Sequence, residues 1–83
     1  MSYIFSFSSR NSAFRFLDAV AAAGGKAKLV NAPIRRGEGC GLAVKCDDYK
    51  LCQDVLNCGH YSNLRAVYSY DGDAYNTIYN IGN

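Results

Sequence analysis

Hydrophobic positions along the chain follow two periods, which together predict seven structural elements. Short stretches in which apolar and polar residues alternate predict β-strands, and stretches with apolar residues three and four positions apart predict α-helices. The predicted order is strand, helix, strand, strand, helix, strand, strand. The first four predicted strands cover residues 3–7, 26–30, 42–46 and 64–70, and in the fifth Tyr75, Thr77, Tyr79 and Ile81 alternate.

The first helix is predicted from a single apolar face between two recognisable ends. Its apolar residues are Ala13, Phe16, Leu17, Val20 and Ala21. Ser8 or Ser9 is expected to cap its first turn, because a serine hydroxyl there can accept a bond from a free backbone amide. Gly24 and Gly25 are expected to end it, because glycine readily adopts the conformation that terminates helices.

The second helix is predicted in the same way. Its apolar residues are Leu51, Cys52, Val55 and Leu56. Asp47 or Asp48 is expected to cap its first turn, and the helix is expected to end near Gly59.

The order of elements predicts an α+β protein with a ferredoxin-like βαββαβ sandwich. Right-handed crossovers place strands one and three in the middle of an antiparallel sheet ordered 4-1-3-2, with both helices on one face. Asp71-Gly72 is a strong signal for a two-residue hairpin, so the fifth strand is expected to fold back on strand four and cover its edge. The sequence therefore divides into a domain of residues 1–70 and a C-terminal strand of residues 71–83, with a frayed tail as the alternative for that segment.

Composition narrows the class of protein. A chain of 83 residues with 49% hydrophobic and 19% charged residues is expected to form one small folded domain. Its net charge of +2 is far from the dense basic surface that duplex binding needs, so nucleic acid is not an expected partner. No apolar run reaches membrane-spanning length and no secretory signal is visible, so a cytoplasmic protein without membrane contact is expected.

The four cysteines are the unusual feature of the composition. They stand at positions 40, 46, 52 and 58, and this uniform spacing of six matches no zinc signature, where paired ligands come two to four residues apart. No metal or other cofactor is expected. Cys52 lies on the apolar face of the second helix and is interpreted as a core residue, whereas Cys46 is interpreted as an inert residue at a strand end.

Cys40 is the cysteine best placed for chemistry. The predicted topology brings the loop of residues 31–41 to the edge where Ser8, Ser9 and Arg10 begin the first helix. A helix N-terminus and an arginine both favour the thiolate. Flanking Gly39 and Gly41 allow backbone amides to turn toward a bound anion. The alternative is that Gly-Cys-Gly is only a tight turn into the third strand.

Cys58 follows the second helix and is expected at the same edge. It is a candidate resolving thiol, one that would attack a persulfide or sulfenate on Cys40. The alternative role for Cys58 is a partly buried residue at the helix end. His60 has no helical metal spacing and is interpreted as a surface or capping residue.

Several of these segments together resemble a known family. They are residues 3–10, then Ala13 and Phe16, then Leu29-Val30 with Pro33, and finally Gly39-Cys40-Gly41-Leu42-Ala43. This combination resembles the selenium/sulfur (Se/S) carrier protein-like family of bacterial proteins over about residues 3–70. The resemblance implies a carrier rather than a catalyst, with selenide or sulfane sulfur held on Cys40. It also implies donor and acceptor proteins as partners, such as a cysteine desulfurase and a selenophosphate synthetase.

Two other classes of function remain open from the sequence. A soft-metal or metalloid binding module would use Cys40, Cys58 and His60 as ligands. A structural or regulatory module would assemble, as a homodimer for example, through the tyrosine-rich segment after Asp73.

Overall fold

The computed structural model describes residues 2–31, 42–59, 61, 63–72 and 74–80. Five antiparallel strands form one sheet: β1 (Ser2–Phe7), β2 (Ala27–Asn31), β3 (Leu42–Cys46), β4 (Leu64–Tyr70) and β5 (Tyr75–Asn80). The two helices are α1 (Arg10–Ala22) and α2 (Tyr49–Gly59). The strand order is β2-β3-β1-β4-β5, which confirms the predicted 4-1-3-2 sheet with the extra strand beside β4.

The register of the sheet defines its two faces. On β1, Phe5 pairs with Val44 of β3 and with Val67 of β4, and these three side chains belong to the buried core. Their neighbours on the opposite face are Ile4 and its partner Lys45 on β3. Alternation along each strand therefore separates a face that packs against α1 and α2 from the opposite face of the sheet.

Aromatic rings fill the space between α1 and the centre of the sheet. The Phe16 ring of α1 lies 5.0 Å from that of Phe5 and 5.3 Å from that of Phe7, measured between centroids. All three side chains are fully buried. Tyr61, which follows α2, completes the cluster with its ring perpendicular to that of Phe16 at 5.4 Å. This packing holds α1 over β1 and so fixes where the helix begins.

The end of α1 follows the prediction in detail. Gly24 has a φ of 92°, the left-handed conformation that favours glycine. The Gly24 amide donates to the carbonyl of Ala21 at 3.0 Å, and the Gly25 amide donates to the carbonyl of Val20 at 2.9 Å. This pair of bonds is a Schellman motif, which satisfies carbonyls that the end of a helix leaves free.

The capping predictions had different outcomes at the two helices. Ser9 occupies the N-cap position of α1 with extended backbone, but its side chain makes no capping hydrogen bond, so that predicted bond is wrong. At α2 the prediction is confirmed, because the Asp48 carboxylate accepts a bond from the Leu51 amide at 3.1 Å. Residues 47–49 therefore turn the chain directly from β3 into α2.

The connection between β4 and β5 differs from the predicted two-residue hairpin. Tyr70 pairs with Tyr75, so four residues, 71–74, join the strands. The Asp71 carboxylate accepts a bond from the Ala74 amide at 3.1 Å, and the Gly72 carbonyl accepts one from the Tyr70 hydroxyl at 3.0 Å. These side-chain bonds stabilise the longer loop. Gly72 within it has a positive φ of 105°, a conformation that favours glycine.

Neither α1 nor α2, the two helices in the part of the chain that the structure describes, is long and apolar enough to cross a membrane.

Gly25 is a position where even one added methyl group is expected to destabilise the protein. A Cβ atom built there overlaps Leu51 Cδ2, lies 2.9 Å from Val20 Cγ1 and lies 3.3 Å from the Val20 carbonyl oxygen, so the Leu51 and Val20 side chains would have to shift within the packing between α1 and α2. Gly25→Ala is expected to lower the free energy of unfolding by at least about 1 kcal/mol, measured by urea denaturation. Adding Leu51→Ala removes the overlapping side chain, so the double variant should lose less than the two single losses added together. Strict additivity would contradict the overlap.

Candidate functional site

Two hydrogen bonds tie together the edge of the sheet where β1 ends and α1 begins. The Ser8 amide donates to the carbonyl of Asn63 at 2.8 Å, and the Asn63 side-chain amide donates to the Ser12 hydroxyl at 2.9 Å. Asn63 immediately precedes β4, so the start of that strand, the end of β1 and the first turn of α1 are fixed relative to one another. This pair was not predicted from the sequence. Ser12 stands beside the apolar face of α1, and this position could have indicated a buried serine that needs a hydrogen-bonding partner. In the structure Ser12 is only 4% exposed.

The predicted residues on this edge have different exposures. Ser8 and Arg10 are exposed and Ser9 is half-buried. The Ser9 side chain does not cap α1, so the first backbone amides of the helix receive no hydrogen-bond acceptor from Ser9. The exposed Arg10 adds a positive charge at the same helix end, so both features favour a negatively charged group there.

Cys40, Gly39, Gly41 and His60 lie outside the described residues, so the predictions made for them stay predictions. The register of the sheet fixes the positions of the residues on either side of 32–41. Asn31 of β2 pairs with Leu42 of β3, and Ala43 pairs with Ser6 of β1. Leu42, two residues after Cys40 in the sequence, therefore begins β3 beside the end of β1.

Cys58 is an exposed free thiol in the last turn of α2. It lines a largely apolar groove of about 340 Å³ between the two helices. The other lining residues are Ala19, Ala23, Leu51, Asp54, Val55, Gly59 and Tyr61. None of these belongs to residues 8–10, so within the described residues this groove does not connect Cys58 to the start of α1.

The sulfur atoms of Cys46 and Cys52 meet in the core, with the Cα atoms 7.2 Å apart, so the two residues are positioned as a disulfide pair. The interpretation of Cys52 as a core residue is confirmed, since it is fully buried. Cys46 lies at the end of β3, as predicted, but its pairing with Cys52 contradicts the interpretation that it is inert. Cys46 is buried to 2% exposure on the helix-facing side of β3, and the first turns of α2 bring Cys52 back over it.

The described part of the chain contains no group of three or more His, Cys, Asp and Glu residues that could hold a metal ion. Cys40 and His60, two of the three residues considered for soft-metal binding, are outside that part.

Comparison with known proteins identifies the family. The family model described as "Putative Se/S carrier protein-like" matches residues 2–65, well over half of the chain. The protein belongs to this family. The matched segment runs from the first residue of β1 into β4, and it includes both helices and residues 32–41. No curated protein matches the chain, and neither does any solved structure.

Proposed function

We propose that the protein is a cytoplasmic selenium/sulfur carrier that holds its cargo on Cys40. The observation that carries this proposal is the family match over residues 2–65, which contains the Gly39-Cys40-Gly41 sequence just before β3. The described edge supports it, because an uncapped helix start and the exposed Arg10 lie where β3 begins. A nearby positive potential would stabilise the Cys40 thiolate, the form that attacks sulfur.

The proposed transfer is neutral in oxidation and reduction. The Cys40 thiolate attacks the outer sulfur of a persulfide on a donor protein. The sulfur–sulfur bond of the donor breaks, and the donor cysteine leaves as a thiolate, so that the persulfide now stands on Cys40. Selenium moves in the same way when the donor carries a selenopersulfide. No bound cofactor takes part.

The proposed partners follow from this chemistry. A cysteine desulfurase is a donor class that carries a persulfide, and a selenophosphate synthetase is an acceptor class for selenium. In the cytoplasm the Cys46–Cys52 pair would be mostly reduced, since thiols are kept reduced in that compartment. The carrier step requires neither of these two cysteines.

The test is to load the protein anaerobically with a cysteine desulfurase and cysteine, and to measure the intact mass. One added sulfur per chain is expected on the wild-type protein and none on Cys40→Ser. Cys58→Ser is the matched control, because Cys58 is an exposed free thiol that the loading step does not require. Equal loading of Cys40→Ser and the wild-type protein would overturn the proposal.

The same variants test the role proposed for Cys58. A resolving Cys58 thiolate attacks the inner sulfur of the Cys40 persulfide, which forms a Cys40–Cys58 disulfide and releases hydrosulfide. The loaded Cys58→Ser variant should then release hydrosulfide more slowly than the loaded wild-type protein. Identical release rates would remove Cys58 from the mechanism and leave the carrier function of Cys40 untouched.

A further inference from the structure

Two lysines stand directly opposite each other on the face of the sheet opposite α1 and α2. Lys28 of β2 pairs with Lys45 of β3 in the sheet register. Side chains of such a pair project from the same face with Cβ atoms about 4.5–5.5 Å apart, and like charges in this arrangement destabilise a sheet. Within the described residues, Lys28 makes no ion pair, and the Lys45 amine lies over the ring of Tyr70 at 5.7 Å instead of against a carboxylate.

These lysines line one cavity together with a third. The cavity has a volume of about 240 Å³ and lies at the end of the sheet where β1 and β2 begin and β3 ends. Its lining residues are Ser2, Lys26, Ala27, Lys28, Lys45 and Asp47. Three lysine side chains and one carboxylate side chain therefore line the same small space.

Asp47 only partly offsets this charge. Its carboxylate accepts a hydrogen bond from the Ser2 hydroxyl at 3.2 Å, and it forms no ion pair with any of the three lysines in the described part of the chain. Two positive charges therefore remain in excess. Their repulsion is unfavourable for folding, and an anion in the cavity would relieve it.

We propose that this cavity binds a small phosphate-type dianion, either inorganic phosphate or the phosphate group of a small ester. The excess charge matches a dianion, and lysine amines bind phosphate oxygens as compact point charges. The volume is below the range of about 300–1,000 Å³ typical for drug-sized ligands, which favours a single small group.

The phosphate proposal rests on none of the residues that the carrier proposal uses. Lys45 and Asp47 lie at the end of β3, whereas residues 32–41 precede its start at Leu42. Failure of one proposal therefore leaves the other standing.

The test is to titrate the full chain with inorganic phosphate and with pyrophosphate at constant ionic strength, and to measure binding by calorimetry and by the shift in Tm. Phosphate is expected to raise the Tm of the wild-type protein, because a ligand that binds only the folded state stabilises it. Lys28→Gln should weaken binding by at least about threefold through the loss of one charge. Asp47→Asn should strengthen it by a similar factor, because the one negative charge in the lining is removed.

Two further readouts separate this site from a general effect of charge. Lys50→Gln is the matched control, since Lys50 is an exposed lysine on α2 outside the cavity lining, and its affinity for phosphate should stay within about twofold of wild type. Without phosphate, Lys28→Gln should raise the Tm by about 1–5 °C because the opposed charges are gone. Equal weakening by Lys50→Gln and Lys28→Gln, or binding of a long polyanion such as heparin without binding of phosphate and pyrophosphate, would overturn the proposal.

Discussion

Phe16→Ala is expected to lower the free energy of unfolding by about 3–5 kcal/mol. The Phe16 ring is fully buried and lies within 5.0–5.4 Å of the rings of Phe5, Phe7 and Tyr61, measured between centroids. Its removal leaves a cavity between α1 and the central strand that a methyl group cannot fill. For 83 residues the total stability is on the order of 4–12 kcal/mol, so this single change uses up much or all of it.

Phe14 provides the control for Phe16 on the same helix. It is the same residue type two positions earlier, but its side chain is 41% exposed. Phe14→Ala should change stability by no more than about 0.5 kcal/mol, as surface substitutions usually do. Urea denaturation followed by far-UV circular dichroism measures both variants. Similar losses for Phe14→Ala and Phe16→Ala would contradict the orientation of α1 described above.

The elements and their order could be predicted because each depends on local patterns. Apolar spacing gave both helices and the strands, with bounds that differ by at most one residue at the ends of β1 and β2. Gly24 and Asp48 marked helix ends through backbone conformation and side-chain capping, which involve only neighbouring residues. The sheet order then followed from the handedness of the two crossovers.

The features that could not be predicted depend on contacts between segments distant in the sequence, or on a choice between nearly equivalent local turns. Asn63 and Ser12 are 51 positions apart, and neither has a pattern that identifies the other. Lys28 and Lys45 belong to different predicted strands, and only the register of the sheet places them opposite each other. The four-residue loop after Tyr70 is favoured over the tight hairpin by a bond from the Ala74 amide to the Asp71 side chain.

The cysteines show most clearly the difference between features set by local patterns and features set by contacts between elements. Burial of Cys52 could be predicted from the apolar face of α2, because that is a property of one helix. Its proximity to Cys46 depends on how the turn at residues 47–48 directs α2 back over β3. The uniform spacing of six matches no zinc signature, yet for this pair it is the separation that the turn and the first turns of the helix span.

A variant carrying Cys40→Ser and Cys58→Ser is expected to show how much the Cys46–Cys52 disulfide contributes, because it retains only these two cysteines. A cross-link between residues six positions apart restricts the unfolded chain and should contribute about 2 kcal/mol. Adding a reductant should therefore lower the Tm of this variant by about 10 °C. Cys46 and Cys52 remain small apolar side chains in the core when reduced, so the far-UV circular dichroism at 25 °C should not change.

Thiol titration decides whether this shift in Tm comes from the disulfide. The same variant, unfolded without reductant after oxidation in air, should show no free thiol, and after reduction it should show two. A further change of both cysteines to alanine should remove the response to reductant, because no bond is left to break. Two free thiols before reduction, together with an unchanged Tm, would show that the two side chains are packed against each other as thiols. In that case the stability of the fold would depend on the apolar core formed by α1, α2 and the sheet without any covalent contribution.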